Sequence, residues 1–366
     1  MPFDLGATYV TGIHRLACSR WRQSLGLRKV EQRIFEMLQQ LAWVEDDMAT
    51  ALGVDARAVT PGGSLTFHLE VKDRGDSTYF YDEWGIGWRM PKDGGLYYDM
   101  FDHPLAGDIS EEAIDSLRGP DPLDPNHFVG MWETARRIAE EEQRAVVVTQ
   151  MTAGITEVAA WTRGYLDFYT DLAGNQRLLG RLLDKVTEVK AASWVRALEE
   201  VGDFVDVMML GDDFAGQDRL LMSPMTWRNL IKPRLKHLFD LLHARSSAKL
   251  FLHSCGSVRE VIPDLIEIGV DILNPVQVSA AGMDTAELKR EFGKDLVFWG
   301  GGVDTQYVLP RGTPDEVSAE VRRRLDDLMP GGGFVFTPVH NIQGDVPTEN
   351  LTAMWQTLRQ YGVYTH

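Results

Sequence analysis

The chain has 366 residues, of which 44% are hydrophobic and 25% charged, and its formal net charge is −17. This composition is typical of a globular protein with one large domain or two small ones. The acidic excess argues against general binding to nucleic acid or to an anionic membrane, since both attract basic surfaces. Cys18 and Cys255 are too few for a disulfide framework. No apolar run reaches the length of a transmembrane helix and no secretory signal is evident, so we expect a cytoplasmic protein.

The N-terminal third of the chain has a pattern of its own. Residues 30–51 favour one or two helices, and residues 65–71 alternate apolar and polar side chains as a strand does. Residues 77–98 are rich in aromatic residues and glycine, which predicts β-hairpins with a turn at Gly94-Gly95. We therefore expect residues 1–140 to form a helical and β-hairpin cap together with the first elements of the main fold.

Short apolar runs recur along the rest of the chain, and each is followed by a segment with helical spacing. The runs are residues 145–149, 205–210, 248–252, 270–273, 296–299 and 333–337. Pro314–Leu328 is one such helical segment, and Pro314 suits its first turn. Six strand-helix units, with room upstream for two more strands, favour a closed (β/α)8 TIM barrel over an open sheet. Residues 141–366 would hold the remainder of this barrel, integrated with residues 1–140 in one domain.

A candidate metal site lies at the end of the run 248–252. His253 and Cys255 are two residues apart there, so on a strand their imidazole and thiolate point to the same side. Nitrogen and sulfur ligands together suit Zn²⁺, and His340 can supply a third ligand after the run 333–337. Three protein ligands and an open fourth position are typical of catalytic zinc. The alternatives are a buried cysteine beside a hydrogen-bonded His253, and a loop or helix-capping role for His340.

Other polar side chains follow the same strands. Because reactive groups of (β/α)8 enzymes lie at the carboxyl ends of the strands, Glu157, Asp212 and Asp213 are candidate catalytic residues. Either Asp212 or Asp213 can instead cap a helix while its neighbour faces the pocket, and the sequence does not choose between them. The polar residues that we expect to bind a cofactor are Asn274, Gln277, Asp304 and Asn341.

A family resemblance rests on several motifs along the chain. They are Asp82-Glu83-Trp84-Gly85-Ile86, His103-Pro104-Leu105, His253-Ser254-Cys255-Gly256, Asn274-Pro275-Val276-Gln277, Gly302-Val303-Asp304, His340-Asn341-Ile342-Gln343 and Val346-Pro347-Thr348-Glu349-Asn350. In these motifs the chain resembles the uroporphyrinogen decarboxylase superfamily, and within it the branch of corrinoid-dependent methyltransferases. The resemblance extends from about Val30 onward and implies a (β/α)8 barrel.

One activity implied by the resemblance is decarboxylation. The decarboxylases of this superfamily act on a porphyrinogen with many carboxylates, use no metal or cofactor, and rely on an aspartate and an arginine-rich N-terminal motif. Asp82 lies roughly where that aspartate is expected. However, Arg15, Arg20 and Arg22 do not form a recognisable arginine-rich motif, and the decarboxylases do not typically carry a cysteine at the position of Cys255. Decarboxylation is therefore the second interpretation.

The methyltransferases resemble this chain more closely at the metal site. They bind zinc through an H-x-C pair and a later cysteine, and His340 stands about where that cysteine is expected. The resemblance implies transfer of a methyl group between a corrinoid (methylcobamide) and a small thiol, folate, methoxy or methylamine-type substrate. It also implies that a separate small protein carries the corrinoid, and that the enzyme can be a homodimer. A barrel that only binds a small molecule is the third interpretation.

Overall fold

The computed structural model describes residues 1–364. The strands are β1 Ile34–Glu36, β2 Leu41–Ala42, β3 Ala56–Val59, β4 Lys72–Arg74, β5 Ser77–Tyr81, β6 Gly87–Pro91, β7 Asp99–Asp102, β8 Ala145–Val148, β9 Val207–Gly211, β10 Lys249–His253, β11 Ile272–Asn274, β12 Val297–Trp299 and β13 Phe334–Val335. The α-helices are α1 Arg15–Ser24, α2 Asp46–Leu52, α3 Glu111–Ser116, α4 Met131–Arg136, α5 Ile155–Arg163, α6 Tyr165–Gly174, α7 Gln176–Val201, α8 Pro224–Thr226, α9 Lys232–His243, α10 Ile262–Glu267, α11 Thr285–Phe292, α12 Val308–Arg311, α13 Pro314–Leu328 and α14 Thr348–Tyr361. Short 3₁₀ turns occupy Pro125–His127, Gly202–Phe204 and Arg259–Val261, and π-helical turns occupy Arg137–Glu142 and Trp227–Ile231.

The main sheet is a closed parallel barrel. Its strand order is β3-β8-β9-β10-β11-β12-β13, and neighbouring strands are parallel throughout. Residues 2–4 complete it as an eighth strand between β13 and β3. The Phe336 N–H donates to the Pro2 carbonyl at 2.9 Å, and the Asp55 N–H donates to the Phe3 carbonyl at 2.8 Å. The predicted (β/α)8 barrel is confirmed, and one of its two upstream strands lies at the very start of the described chain.

The alternation of side chains along the strands separates the barrel interior from the outer core. Inward-facing side chains of neighbouring strands, among them Val207, Met209 and Phe251, form one buried cluster. The intervening side chains pack outward against the helices in a second, larger cluster. Because the period of a strand is two residues, the inward set continues from Phe251 to His253, which is in register with Gly211 and Asn274. The apolar cluster therefore lies in the barrel interior, directly below the polar side chains at the carboxyl ends of the strands.

The segment between β3 and β8, residues 60–144, is referred to as the insert. It begins at this same end of the barrel and returns to the amino end of β8. It contains a four-stranded antiparallel sheet of order β4-β5-β6-β7, which confirms the predicted hairpins of residues 77–98. The strand expected at residues 65–71 does not form. Leu65 and Leu69 are 59% and 44% exposed, so no neighbouring layer covers the apolar face that the alternation requires.

The helical prediction for residues 30–51 is correct only for α2. Upstream of it the chain forms the short antiparallel pair β1 and β2. The Glu36 carboxylate accepts hydrogen bonds from the N–H groups of Leu38 and Gln39, at 2.6 and 2.8 Å. These bonds close a turn, and Gln40 adopts a positive φ of 55° within it. A local side-chain bond therefore replaces the helical hydrogen bonds there.

Candidate metal centre

Three side chains from two strand ends converge at the barrel mouth. One potential ligand atom from each of His253, Cys255 and His340 lies within 4.8 Å of the other two. Cys255 Sγ and His253 Nε2 are 3.4 Å apart. Zinc bonds of about 2.3 Å to sulfur and about 2.0 Å to nitrogen, at tetrahedral angles, place the two ligand atoms about 3.5 Å apart. The three donor types and the spacing of this pair therefore fit a zinc ion, and the same 3.4 Å separation also allows a thiol-imidazole hydrogen bond.

The turn after Cys255 depends on glycine. Gly256 has φ of 89°, and a Cβ built on it would lie 2.5 Å from the Gly216 carbonyl oxygen. A side chain at this position is excluded by both backbone conformation and space. The Gly256 N–H donates to Gln277 Oε1 at 2.6 Å, which ties this turn to the segment after β11. Gly256 and Gln277 thus hold Cys255 at the end of β10.

Asn274 sets the orientation of the His253 ring. His253 Nδ1 lies 2.5 Å from Asn274 Oδ1, while Asn274 Nδ2 donates to the Trp299 carbonyl, also at 2.5 Å. Because the amide nitrogen is committed to that carbonyl, its oxygen faces His253 as an acceptor. His253 therefore carries its proton on Nδ1, which leaves the Nε2 lone pair free for a metal.

The imidazoles of the cluster are neutral near pH 7. Burial lowers the pKa of His253 to about 4, and burial together with the neighbouring His253 lowers the pKa of His340 to about 4. Burial also raises the pKa of the Cys255 thiol well above 9.0, and the carboxylates of Asp213 and Glu157 add to this shift. A divalent cation reverses the effect on the thiol, because a coordinated thiol loses its proton.

Two carboxyl groups lie beside the three candidate ligands. Asp213 Oδ1 accepts the Cys255 N–H at 2.8 Å and lies 3.7 Å from His253 Nε2. Glu157 Oε2 accepts the Gly154 N–H at 2.9 Å in the first turn of α5. Burial raises the pKa of both carboxyls, and for Glu157 the charges of Asp213 and Asp212 contribute as well. The structure brings Glu157 and Asp213 together with His253, Cys255 and His340.

Asp212 has a different set of contacts from Asp213. Its carboxylate accepts the Thr156 N–H at 2.9 Å and the Glu157 N–H at 3.1 Å. It therefore caps the start of α5 from the neighbouring strand β9, where the helix dipole favours a negative charge. Burial raises the pKa of Asp212 to about 7. Of the two sequence alternatives, Asp212 is the capping residue and Asp213 faces the cluster.

Lys190 is a residue of this region that the sequence reasoning missed. It lies on α7, is 1% exposed, and its Nζ donates to the carbonyls of Thr152 and Ala153 at 2.7 and 3.0 Å. Burial lowers the pKa of its ammonium group to about 8, while Asp212 and Glu157 oppose this shift. The available signal was a lysine on the apolar face of α7, four residues after Val186 and four before Trp194.

Three of the residues predicted to bind a cofactor form hydrogen bonds within the protein. Gln277 accepts the Gly256 N–H, as described above. Asp304 accepts the N–H groups of Gln306 and Tyr307 at 3.1 and 2.9 Å, ahead of α12. Asn341 Oδ1 accepts the Gly12 N–H at 2.6 Å, and its Nδ2 donates to the Tyr9 carbonyl at 2.9 Å. These contacts anchor loops and the N-terminal segment. The cofactor-binding role of Gln277, Asp304 and Asn341 stays a prediction.

Asp82 lies in the turn between β5 and β6, in the insert. Its Oδ1 accepts the N–H groups of Trp84 and Ile86 at 2.9 and 3.0 Å, and its Oδ2 accepts Trp88 Nε1–H at 2.8 Å. Asp82 borders a cavity of about 300 Å³ between the insert and the barrel mouth. Its lining includes Glu36, Phe80, Asp82, Glu83, Trp84, Trp88, His127, Thr152, Ala153 and Trp161.

Comparison with known proteins assigns the family. Residues 84–361 match the family model for uroporphyrinogen decarboxylase (URO-D). The chain belongs to the URO-D family. A uroporphyrinogen decarboxylase from Pseudoalteromonas translucida (strain TAC 125) is 22% identical, over 74% of this chain and 75% of the relative. One from Alkalilimnicola ehrlichii (strain ATCC BAA-1101 / DSM 17681 / MLHE-1) is 26% identical, over 78% of this chain and 74% of the relative.

A solved structure shares the fold of this URO-D family member. A methyltransferase from Methanosarcina mazei aligns with a TM-score of 0.58 at 21% sequence identity, covering 77% of both chains. This likeness supports the barrel fold. Members of the URO-D superfamily are enzymes, either decarboxylases or methyltransferases. Within residues 1–364, the URO-D chain has no helix that is both long and apolar enough to cross a bilayer.

Proposed function

We propose that the protein is a zinc-dependent methyltransferase, which moves a methyl group between a corrinoid (methylcobamide) and a small substrate. The observation that carries this proposal is the convergence of His253, Cys255 and His340, whose ligand atoms lie within 4.8 Å of one another at the barrel mouth. These three residues would hold the zinc ion and leave one position open for substrate. His340 replaces the second cysteine that the methyltransferase resemblance predicts, and its neutral imidazole is an equally suitable ligand.

The residues around the cluster have distinct parts in this proposal. A zinc ion bound there would lower the pKa of a substrate thiol or hydroxyl and so make it a nucleophile near neutral pH. Asn274 holds the His253 ring in the orientation that directs Nε2 toward the cluster. Glu157, whose pKa is raised by burial, is suited to take up the proton that the substrate releases. Asp213 holds the backbone of Cys255 in place.

We further propose that the corrinoid is carried by a separate small protein that docks over the barrel mouth. The cavity beside the mouth has a volume of about 300 Å³, at the lower end of the range for pockets that bind small molecules. It is large enough for a small substrate, whereas a corrinoid macrocycle is several times larger. In this proposal the corrinoid exchanges the methyl group outside this cavity.

Cofactor-independent decarboxylation of a porphyrinogen is the second candidate. It is favoured by the two related decarboxylases and by the position of Asp82 at the cavity. However, Glu36 and Glu83 also line this cavity, and no lysine or arginine is present among its lining residues in the described chain. A porphyrinogen with many carboxylates would meet like charges there. Methyl transfer is therefore the better supported function.

Elemental analysis of the zinc-loaded protein tests the metal site. We expect about one zinc per chain. His253→Ala, Cys255→Ser and His340→Ala should each lose it, whereas His340→Cys should retain it. His243→Ala is the matched control, because His243 lies on the surface and bonds to the Gly269 carbonyl. Absence of zinc from the parent protein, with a thiol-imidazole hydrogen bond in its place, would contradict the proposed metal centre.

An activity assay tests the reaction. Methyl transfer between free methylcobalamin and a panel of thiols, folate and methoxy compounds should require zinc and be lost in Cys255→Ser. Turnover of a porphyrinogen that depends on Asp82 and not on zinc would establish decarboxylation instead. Neither activity, with small-molecule binding retained, would favour the binding-protein interpretation.

A further inference from the structure

The cavity between the insert and the barrel mouth has an aromatic wall. Trp84, Trp88 and Trp161 contribute indole rings to its lining, and Phe80 contributes a phenyl ring. The indoles of Trp88 and Trp161 meet at 87° with their centroids 5.4 Å apart, so they form a corner. The faces of such rings carry the negative end of their quadrupole. An aromatic corner of this kind attracts a cation that is weakly hydrated.

The same cavity carries acidic side chains and has no lysine or arginine among its lining residues in the described chain. Glu36, Asp82 and Glu83 line it, and among its lining residues in the described chain only His127 can carry a positive charge. Burial raises the pKa of all three carboxyls, which reflects the cost of a negative charge there. A positively charged ligand would lower this cost.

The contacts of these carboxylates favour an organic cation over a metal ion. Asp82 already accepts three N–H donors, and Glu36 accepts two backbone N–H groups. These oxygens supply negative potential but are already bonded within the protein. A hard metal ion requires several free oxygen ligands to replace its water shell, whereas a methylated ammonium group requires no hydrogen bonds from the protein.

We propose that this cavity binds the methylated ammonium group of a small cationic substrate. This inference rests on the proposed methyltransferase function and specifies its substrate class. The cavity volume of about 300 Å³ has room for a small cation such as choline. The aromatic wall supplies cation–π attraction, and the carboxylates supply the complementary charge.

Helix α5 carries both Trp161, which lines this cavity, and Glu157, which lies near Cys255. Trp161 lies four residues after Glu157 on α5, which is about 6 Å along the helix axis. Thr152 and Ala153, which line the cavity, directly precede Gly154, whose N–H bonds to Glu157. Helix α5 and the loop before it therefore link the cavity to the region of the three candidate ligands.

Isothermal titration calorimetry with a matched pair of ligands tests the inference. Choline and 3,3-dimethylbutan-1-ol have the same shape, but the second has a neutral carbon in place of the ammonium nitrogen. We expect choline to bind at least about tenfold more tightly than the neutral alcohol. Equal affinities, or no binding of choline, would overturn the inference.

Two variants and their controls locate the binding site. Glu83→Gln and Trp161→Leu should each weaken choline binding by about tenfold without changing the affinity for the neutral alcohol. Glu133→Gln and Trp132→Leu, on the exposed face of α4, are matched controls that should bind choline as the parent does. Parent-like choline affinity in both cavity variants would overturn the assignment of this cavity.

A zinc-free variant separates this inference from the proposed function. Cys255→Ser should lose zinc and methyl transfer but still bind choline, because the aromatic wall and the carboxylates remain. Choline binding without any zinc in the parent protein would support the cavity and overturn only the proposed methyltransferase. Normal zinc content and methyl transfer without choline binding would overturn only the inference.

Discussion

At the scale of single residues, the chemistry of the site depends on which side-chain atoms are already bonded. His253 uses Nδ1 for Asn274 and keeps Nε2 free, so the two nitrogens of one ring have different tasks. Asp212 and Asp213 are adjacent in sequence, yet one caps α5 and the other bonds to the backbone of Cys255. The residue type therefore predicts the possible chemistry, while the hydrogen-bond partner determines the role.

Removal of the Asn274 amide should weaken metal binding without removing a ligand. Asn274→Ala deletes the acceptor of the His253 Nδ1–H group, so the ring loses its orientation. We expect the zinc affinity to fall by about 10- to 100-fold, measured by competition with a chelator. Asn274→Asp keeps an acceptor for His253 but loses the donor to the Trp299 carbonyl, so its zinc affinity should lie between those of the parent and of Asn274→Ala. Asn126→Ala, in a loop of the insert, is the control, and an unchanged affinity in Asn274→Ala would contradict the role given to Asn274.

At the scale of elements, the acidic groups of the mouth are held by contacts between α5, α7 and the loop before α5. Lys190 extends from α7 to the carbonyls of Thr152 and Ala153, and its charge lies near Asp212 and Glu157. Neither α5 nor the loop before it carries a positively charged side chain that compensates both Asp212 and Glu157. The position of the loop therefore depends on a lysine from a different helix.

Replacement of Lys190 should destabilise the fold. Lys190→Met leaves buried carboxyl groups without their cation and two carbonyls without a donor. We expect the free energy of unfolding to fall by about 3 kcal/mol, measured by urea unfolding of the metal-free protein. The double variant Lys190→Met with Asp212→Asn should recover part of this loss. Lys236→Met is the matched control, since Lys236 forms an exposed ion pair and should change stability by less than about 1 kcal/mol.

A stability of Lys190→Met equal to that of the parent would contradict the coupling of α7 to the loop. A double variant less stable than Lys190→Met alone would contradict the ionic part of the argument, because Asp212 would then contribute independently of Lys190.

At the scale of the whole molecule, the barrel is closed by the start of the chain. Residues 2–4 bond to Phe336, directly after β13, on one side and to Asp55, directly before β3, on the other. Asp4 points into the barrel, where it accepts Trp299 Nε1–H at 2.9 Å and the Ala7 N–H at 3.0 Å. Burial raises the pKa of Asp4 to about 6. Residues 2–4 thus place the carboxyl group of Asp4 in the apolar interior of the barrel.

This position makes the stability of the barrel dependent on pH. The pKa of Asp4 is about 6 in the folded chain and 3.8 in the reference state, so the folded state binds the proton more tightly. The stabilisation by this proton is complete below about pH 4 and is lost as the pH rises through 6. Because Asp4→Asn cannot lose a proton, its stability relative to the parent should rise by up to about 3 kcal/mol between pH 4 and pH 7. Urea unfolding at both pH values measures the difference, and parallel profiles would contradict the assignment.

The elements that the sequence predicted well are those with strong local signals. Helix α13 has the predicted bounds, because Thr313 and Glu316 form a capping box and Pro314 occupies the first turn. The H-x-C pair converges as predicted, because it follows from the period of a strand. The strand expected at residues 65–71 does not form, because alternating apolar and polar residues form a strand only where another layer covers the apolar face.

The sequence by itself determined the alternation of strands and helices, the barrel class, and the pairing of His253 with Cys255, because each depends on periods of a few residues. Only the tertiary structure decided that residues 2–4 close the barrel, that Asp212 caps α5, and that Asn274 orients His253. The bonds between residues 2–4 and Phe336 join positions more than 300 residues apart in the chain. No local pattern encodes such contacts, because they exist only after the barrel has closed.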